Sequence, residues 1–203
     1  GGVTPEPEWV DLGLPSGNLW RRSNLGASKP EDYGLYYAWG DVIGHSFDEE
    51  YSFDEENYNN TDAHAINSDF TSNNDAATIA LGIDCKIPSL DDINELINNC
   101  SSIWTTLNGV KGRLFTSNLN GQVLFIPAAG YFYGLTNDVA GIQSNLWSSH
   151  YRSQNNSSQL RIDQTSVLIN SSGIRYYGFT IRPVKVLNTN RSIVPTTSED
   201  EPM

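Results

Sequence analysis

The sequence predicts an α+β domain, because one well-marked helix and two β-hairpins can be read from local patterns. The helix begins after Ser89, a residue type that caps helix N-termini, and aspartates occupy its first turn. Its apolar stripe consists of Ile93, Leu96 and Ile97. The first hairpin turns at Asn108-Gly109, a dipeptide that accepts positive φ at both central turn positions. The second hairpin follows in residues 114–127 and ends in an apolar strand.

Further elements extend this pattern towards the start of the chain. Residues 9–20 hold two short apolar runs around a Pro-Ser-Gly turn, which predicts an N-terminal hairpin. Residues 75–82 predict a shorter helix that ends at Gly82. We therefore expect one domain over residues 9–186, a flexible leader at 1–8 and a tail or linker at 187–203.

Residues 44–76 are rich in acidic and amide side chains and poor in apolar ones. They include the near-repeat SFDEEY and SFDEEN, which is too short for a repeat architecture. The spacing does not match a calcium-binding EF-hand loop, which needs alternating oxygen ligands and a glycine at the sixth position. We interpret 44–76 as a long acidic surface insertion and predict no metal site. Calcium binding by the acidic run at 46–56 is left open.

Charge and composition restrict the partners and the location. The formal net charge of −12 argues against nucleic acid or an anionic membrane as a partner. No apolar run approaches the ~20 residues of a transmembrane helix. The chain begins Gly-Gly, so we expect that a secretory signal or lipid anchor was trimmed. Because Asn also outnumbers Lys and Arg, the composition favours an extracellular or cell-surface protein.

Two cysteines, Cys85 and Cys100, flank the predicted helix. A cysteine pair in an exported protein can form a disulfide. A helix of about ten residues spans roughly 15 Å, so a bridge requires the preceding segment to fold back along it. The sequence leaves open both a disulfide and two free, buried thiols.

The sequence has no arrangement typical of a catalytic site. It contains neither a Gly-x-Ser-x-Gly elbow nor a Gly-Lys-Ser phosphate loop. His45 and His64 lie in the acidic insertion, and His150 follows two serines without a third group to orient it. We predict that the protein is not an enzyme and has no cofactor. A hydrolase or metal-dependent enzyme is the less favoured alternative.

Residues 146–184 predict a binding surface held on a rigid frame. The anchor LWSS at 146–149 and the stiff strand GFTIRPV at 178–184 enclose two polar runs. Tyr and Arg supply contact area, and Asn, Gln and Ser supply adaptable hydrogen bonds. The predicted ligand-binding residues are His150, Tyr151, Arg152, Gln154, Asn155, Asn156, Arg175, Tyr176 and Tyr177. In the frame, we assign Trp147, Phe179 and Ile181 to the core and Arg182 to structural hydrogen bonding.

Several motifs in combination resemble one known family. The opening VDLGLPSGNLW at 10–20 is similar to the start of the Fibrobacter succinogenes-type major paralogous domain, which is common in exported proteins of Bacteroidetes. The resemblance covers roughly residues 9–186. It continues through NLGA at 24–27, PEDYG at 30–34, YAWG at 37–40, IPS at 87–89, WTTLNGVKG at 104–112, IPAAGY at 126–131, LWSS at 146–149 and RPV at 182–184.

The resemblance implies a C-type-lectin-like fold, with two helices packed on mixed, mainly antiparallel sheets and with the N- and C-terminal strands paired. It also implies a similarity to variable proteins of diversity-generating retroelements, in which residues 150–177 would be the variable segment. The calcium-dependent sugar motifs of true C-type lectins are absent, so that activity is not carried over. No cysteine follows Cys100, so the oxidase chemistry of the related formylglycine-generating enzymes is not carried over either.

The predicted function is therefore adhesion or recognition by an exported cell-surface module, with a lipoprotein anchor as one form of attachment. Its C-terminal surface is expected to bind a protein or glycan on a cell or phage surface. The alternative is a structural or tip subunit of a surface assembly, joined through its tails. The identity of the ligand and the oligomeric state are left open.

Overall fold

The computed structural model describes residue 2 and residues 4–187. It confirms a mixed α+β architecture in which most strands pair antiparallel. The α-helices in this range are α1 (Glu55–Asn59), α2 (Ala76–Leu81) and α3 (Leu90–Asn99), and a 3-10 turn spans Asp62–Ala65. The strands are β1 (Trp9–Val10), β2 (Leu19–Arg21), β3 (Cys85–Lys86), β4 (Cys100–Leu107), β5 (Val110–Ser117), β6 (Val123–Pro127), β7 (Gln143–Tyr151), β8 (Asn156–Asp163), β9 (Val167–Ile174) and β10 (Val184–Lys185).

The first sheet joins the two ends of the described chain. Its strand order is β1-β2-β10-β3, and all its pairs are antiparallel. Val184 of β10 lies opposite Trp20 of β2 on one side and Lys86 of β3 on the other. The C-terminal strand therefore pairs with the second strand of the N-terminal hairpin, while β1 lies at the edge of the sheet.

The second sheet, β4-β5-β6, confirms both predicted hairpins. Asn108 and Gly109 connect β4 to β5 with φ angles of 48° and 87°. These positive values explain why the chain carries Asn-Gly there, since most side chains avoid that conformation.

The third sheet, β7-β8-β9, contains the segment predicted to bind ligand. One face packs into the main core through Leu146, Leu160 and Ile162. Side chains alternate between the two faces of a strand, so the residues between these positions point to the opposite face. Most of those residues are polar, and the opposite face is therefore mainly polar. The register between β7 and β8 shifts between Trp147 and Tyr151, at the end of the sheet where the polar loops begin.

The two predicted helices form as α2 and α3, and each begins at the expected kind of cap. Asp75 accepts the backbone N–H groups of Ala77 and Thr78, and it also accepts that of Ile87. Ser89 and Asp92 form a reciprocal capping box at the start of α3. Ile93 and Leu96 bury the predicted stripe, and Ile97 is partly buried against the same core.

The frame residues occupy the positions that the sequence predicted. Trp147, Phe179 and Ile181 are buried in one aromatic cluster. Arg182 is fully buried and donates to Asn24 Oδ1 and to the Phe125 carbonyl, each at 2.8 Å. It is therefore a structural hydrogen-bond donor.

The interpretation of 44–76 as a surface insertion is wrong for part of that segment, and so is the expectation of two helices. The acidic side chains Asp48, Glu49, Glu50, Glu55 and Glu56 are exposed. In the same segment, however, Phe53, Tyr58 and Ala63 are buried in an aromatic cluster. Asp54 caps the additional helix α1 by accepting the Asn57 N–H. The interpretation followed the high local charge and overlooked these few apolar positions. They are enough to hold the segment against the core.

The structure also bears on three further expectations, which concern the strand at 178–184, the two cysteines and the terminal segments. The stiff strand predicted at 178–184 is wrong in extent, since only Val184 lies in β10, while Gly178, Phe179 and Thr180 make isolated bridges. Cys85 and Cys100 are free thiols. Residues 6–8 of the predicted leader contact Arg21 and Arg22, and residues 188–203 of the predicted tail lie outside the described residues. No helix in the described range is long and apolar enough to cross a membrane.

Candidate functional site

Two loops of the C-terminal segment meet beside the third sheet. Residues 152–155 connect β7 to β8, and residues 175–177 follow β9. Because β8 pairs with both neighbours, the start of β8 and the end of β9 lie side by side, with Asn156 opposite Ile174. The Arg175 backbone N–H donates to the Asn155 carbonyl at 3.0 Å, which joins the two loops directly.

A cleft of about 400 Å³ opens where these loops meet the segment around α1. We call it the display cleft. Its lining comes from three parts of the chain that are far apart in sequence, and consists of Glu55, Tyr58, Asn59, His64, Gln154, Asn155, Asn156, Ile174, Arg175 and Tyr176. Five of the nine predicted binding residues are thus brought together, namely Gln154, Asn155, Asn156, Arg175 and Tyr176.

Arg175 differs from the expected exposed contact, because its side chain is buried with only 1% exposure. Its Nη1 donates to the Gln154 carbonyl at 3.1 Å, and its Nη2 donates to the Ala63 carbonyl at 2.8 Å. Its Nε donates to the Tyr58 hydroxyl at 3.0 Å. Arg175 therefore fastens the α1 segment to the β7–β8 loop, and it acts as the structural base of the cleft.

Aromatic rings and carbonyl oxygens surround the Arg175 charge. The guanidinium carbon lies 4.6 Å from the ring centroid of Trp39, 5.6 Å from that of Tyr58 and 5.8 Å from that of Tyr151. No ion pair joins Arg175 to a carboxylate among the described residues. Cation–π contacts and carbonyl dipoles are the interactions that stabilise it.

Tyr58 is held neutral in this arrangement. Burial raises the pKa of Tyr58 to about 12, although the nearby Arg175 charge opposes the shift. The neutral hydroxyl accepts from Arg175 and donates to the Trp39 carbonyl at 2.7 Å. At neutral pH Tyr58 is thus a neutral hydrogen-bonding link in the wall of the cleft.

The exposed side chains of the cleft offer amide and ring chemistry. Gln154 is exposed and donates its Nε2 to the His64 carbonyl at 2.7 Å. Asn155 is exposed as well, and its side-chain amide makes no hydrogen bond to the described residues. Tyr176 is half-buried and packs edge-on against Tyr177, with ring centroids 5.3 Å apart. An amide group can donate and accept at once, so this surface suits a polar ligand.

His64 adds a nitrogen acceptor to the same cleft. Its Nδ1 lies 2.6 Å from the Thr61 carbonyl, which can only accept, so Nδ1 carries the proton of this hydrogen bond. In the neutral ring, Nε2 is then the free acceptor.

The other four predicted residues lie outside the cleft. His150 pairs with Asp69, its Nδ1 lying 3.2 Å from Oδ1, and the Tyr151 backbone N–H donates to the same carboxylate at 2.8 Å. The Tyr151 ring lies 6.1 Å from that of Trp39 and 5.8 Å from the Arg175 guanidinium carbon. Arg152 is exposed, and Tyr177 lines a separate concavity with Tyr131.

Sequence reasoning missed the wall formed by Glu55, Tyr58, Asn59 and His64. The signal that could have found it is the pattern Asp54-Glu55-Glu56-Asn57-Tyr58. An Asp cap followed by acidic residues is typical of a helix N-terminus, and the tyrosine sits one turn later on a face that can pack.

No group of three or more His, Cys, Asp or Glu side chains that could hold a metal ion occurs in the described part of the chain. Comparison with protein-family models, with curated proteins and with solved structures gave no match. The geometry of the cleft is therefore the basis on which its chemistry can be argued.

Proposed function

We propose that this protein is an exported cell-surface recognition module that binds its ligand in the display cleft. The observation that carries the proposal is the convergence of Gln154, Asn155, Asn156 and Tyr176 on one concave surface, with Arg175 buried beneath them. Exposed adaptable side chains over a fixed base are typical of binding loops on a scaffold. The ligand class is a protein or glycan on a cell or phage surface, and binding requires no cofactor and no catalysis.

A C-type-lectin-like fold within the Fibrobacter succinogenes-type family is part of the same proposal. Its support is the set of motifs over residues 9–186, together with the sheet that joins β10 to the N-terminal hairpin. Similarity to retroelement-diversified proteins makes a further claim: residues 150–177 should differ among close copies of this chain, while 146–149 and 182–184 stay constant. Uniform sequences at 150–177 in such copies would remove that claim and leave the binding proposal in place.

The test is a screen of glycan and surface-protein arrays with the purified chain, with and without calcium, followed by cleft variants. For any ligand found other than a single neutral sugar, Asn155→Ala with Tyr176→Ala should weaken binding at least about tenfold, because both side chains line the cleft. Tyr176 also packs against the buried cluster around Phe132, so the melting temperature of the variant is measured alongside binding. Asn118→Ala is the matched control, since Asn118 is exposed on the distant β5–β6 turn.

Two outcomes would count against the display cleft. Unchanged binding in the Asn155 and Tyr176 double variant, with an unchanged melting temperature, would exclude the cleft as the ligand site. Loss of assembly when residues 1–8 or 187–203 are removed, with assembly intact in the cleft variants, would favour the structural or tip subunit instead.

A further inference from the structure

A second concave surface lies on the polar face of the third sheet. Side chains of β7, β8 and β9 that point away from the main core form it, with Asn145 opposite Arg161 and Gln159 opposite Asn170 in the strand register. We call this set the amide face: Gln143, Asn145, Gln159, Arg161, Asn170 and Ser172, which line a cavity of about 230 Å³. It shares only Ile174 with the display cleft.

Three amides of this face form a chain with one direction. Gln143 Nε2 donates to Asn145 Oδ1 at 2.8 Å, and Asn145 Nδ2 donates to Gln159 Oε1 at 2.6 Å. Asn145 and Gln159 are 3% and 5% exposed, so the chain is buried at the base of the cavity. Within the described residues, the side-chain oxygen Oε1 of Gln143 is left as an acceptor at one end and the side-chain nitrogen Nε2 of Gln159 as a donor at the other.

Two more donors on the face have a defined orientation. Asn170 Oδ1 accepts both the Ser172 N–H at 2.8 Å and the Ser172 hydroxyl at 2.6 Å, which leaves Asn170 Nδ2 as a donor. Arg161 Nε is buried and has no hydrogen-bond partner among the described residues. A buried donor without a partner is costly, and the accessible part of the same side chain, which is 40% exposed, can donate to a ligand oxygen from its other nitrogens.

Aromatic rings form the wall beside these amides. Tyr131 and Tyr177 line the cavity and stack on each other with ring centroids 5.7 Å apart and an interplanar angle of 9°. Tyr133 lies next to both rings and is 46% exposed. Phe179 completes the wall from the core side. An apolar ring surface thus meets a row of neutral donors and acceptors.

We propose that the amide face is a binding site for a neutral saccharide. A sugar ring presents C–H groups on one face, which pack on an aromatic ring, and hydroxyls at its edge, which both donate and accept. The volume lies below the ~300 Å³ at which pockets for drug-sized ligands begin, which favours a single sugar ring. Arg161 supplies the one charge of the lining, and the Asp163 carboxylate, 3.8 Å from its Nη2, offsets part of that charge.

The site is also preorganised, since its polar groups project from hydrogen-bonded strands and orient one another. A rigid frame reduces the ordering cost of binding a small ligand. This site is independent of the display cleft, because the two sets of polar side chains do not overlap.

The test uses the full chain and a panel of neutral methyl glycosides of common hexoses and N-acetylhexosamines at millimolar concentration. We expect at least one glycoside to shift the side-chain amide resonances of Gln159 and Asn170 in NMR spectra. Asn170→Ala and Tyr177→Leu should each weaken that binding at least about fivefold. Asn155→Ala in the display cleft and Asn118→Ala on the β5–β6 turn are the matched controls and should leave it unchanged.

The proposal fails if no glycoside moves these resonances at about 10 mM. That concentration lies well above the dissociation constant expected of a single-sugar site. It also fails if only charged sugars such as uronic acids bind, or if Asn155→Ala abolishes binding while Asn170→Ala does not. Because Gln159 is buried, its resonance is read in the unaltered chain and no substitution there is needed. If the glycosides do not bind the amide face, the array result for the display cleft is unaffected. If the array screen fails, the glycoside result for the amide face is likewise unaffected.

Discussion

At the scale of single residues, burial separates the arginines that stabilise the fold from those that are accessible to a ligand. Arg175 and Arg182 are 1% and 0% exposed, whereas Arg152 is exposed. The structural role expected of Arg182 agrees with its burial, although within 178–184 only Val184 lies in a strand. The burial of Arg175 was not foreseen, because its partners Tyr58 and Ala63 lie more than a hundred positions away and nothing local reveals them.

Replacing Arg175 by Met should lower the free energy of unfolding by about 3 kcal/mol, since two buried acceptors, the Tyr58 hydroxyl and the Ala63 carbonyl, lose their donor and Met restores only part of the packing. Arg152→Met is the matched control and should change it by less than about 0.5 kcal/mol, as expected for an exposed position. Denaturant unfolding of both variants measures the difference. Equal, small effects would mean that Arg175 does not fasten the two segments together.

At the scale of elements, local sequence signals predicted the helices and turns that are stabilised by contacts between residues close in sequence. Ser89 with Asp92 and the apolar stripe mark α3, and Asn108-Gly109 marks the β4–β5 turn. Strands β8 and β9 carry no such signal. They are rich in Ser, Asn and Gln, and they form a sheet because one face packs on the main core while the other faces the amide cavity.

The start of α3 also gives a pH dependence. Burial alone would raise the pKa of Asp92, but hydrogen bonds from Lys86 and Ser89 outweigh it and hold the pKa below its ordinary value of 3.8. A carboxyl with a lowered folded-state pKa stabilises the fold above its unfolded pKa, and this contribution is lost as the pH falls through the folded pKa. The Lys86 ammonium, 2.9 Å from Asp92 Oδ2, is the main partner.

Asp92→Asn should therefore destabilise the protein at neutral pH and lose that effect as the pH falls below 3.8 and through the lowered folded-state pKa of Asp92. Asp91→Asn is the control, because Asp91 lies in the same turn but is exposed and makes no ion pair with the described residues. Unfolding free energies of the two variants and the parent across this pH range provide the measurement. A constant difference between Asp92→Asn and the parent would show that the charge of Asp92 contributes nothing.

At the scale of the whole molecule, segments that are distant in sequence come into contact at the display cleft. No pattern within a single sequence predicts such a contact. The loops 152–155 and 175–177 were predicted to act together. The opposite wall, from α1 and the 3-10 turn, was interpreted as solvated because acidic side chains dominate it. Which apolar residue in a charged run becomes buried depends on a complementary surface elsewhere, here the cluster around Phe132 and Ala129.

The near-repeat in the acidic segment gives a matched pair of phenylalanines that tests this docking. Phe47 and Phe53 both follow a serine and precede Asp-Glu-Glu, yet Phe47 is 41% exposed and Phe53 only 3%. The Phe53 backbone exchanges hydrogen bonds with Gly134 at 2.8 and 2.9 Å, and its ring stacks near Phe132 at 5.8 Å. Gly178 approaches the same ring so closely that an added Cβ would lie 2.7 Å from it.

Phe53→Ala should therefore lower the free energy of unfolding by about 3–5 kcal/mol, the usual range for a buried phenylalanine, and Phe47→Ala by about 1 kcal/mol. Because Phe53 immediately precedes α1, its loss should also free the Glu55 to His64 wall and speed amide hydrogen exchange there before the sheets open. Denaturant unfolding and site-resolved hydrogen exchange measure both effects. If the two alanine variants behaved alike, the acidic segment would be a surface loop after all, and the display cleft would have only two fixed walls.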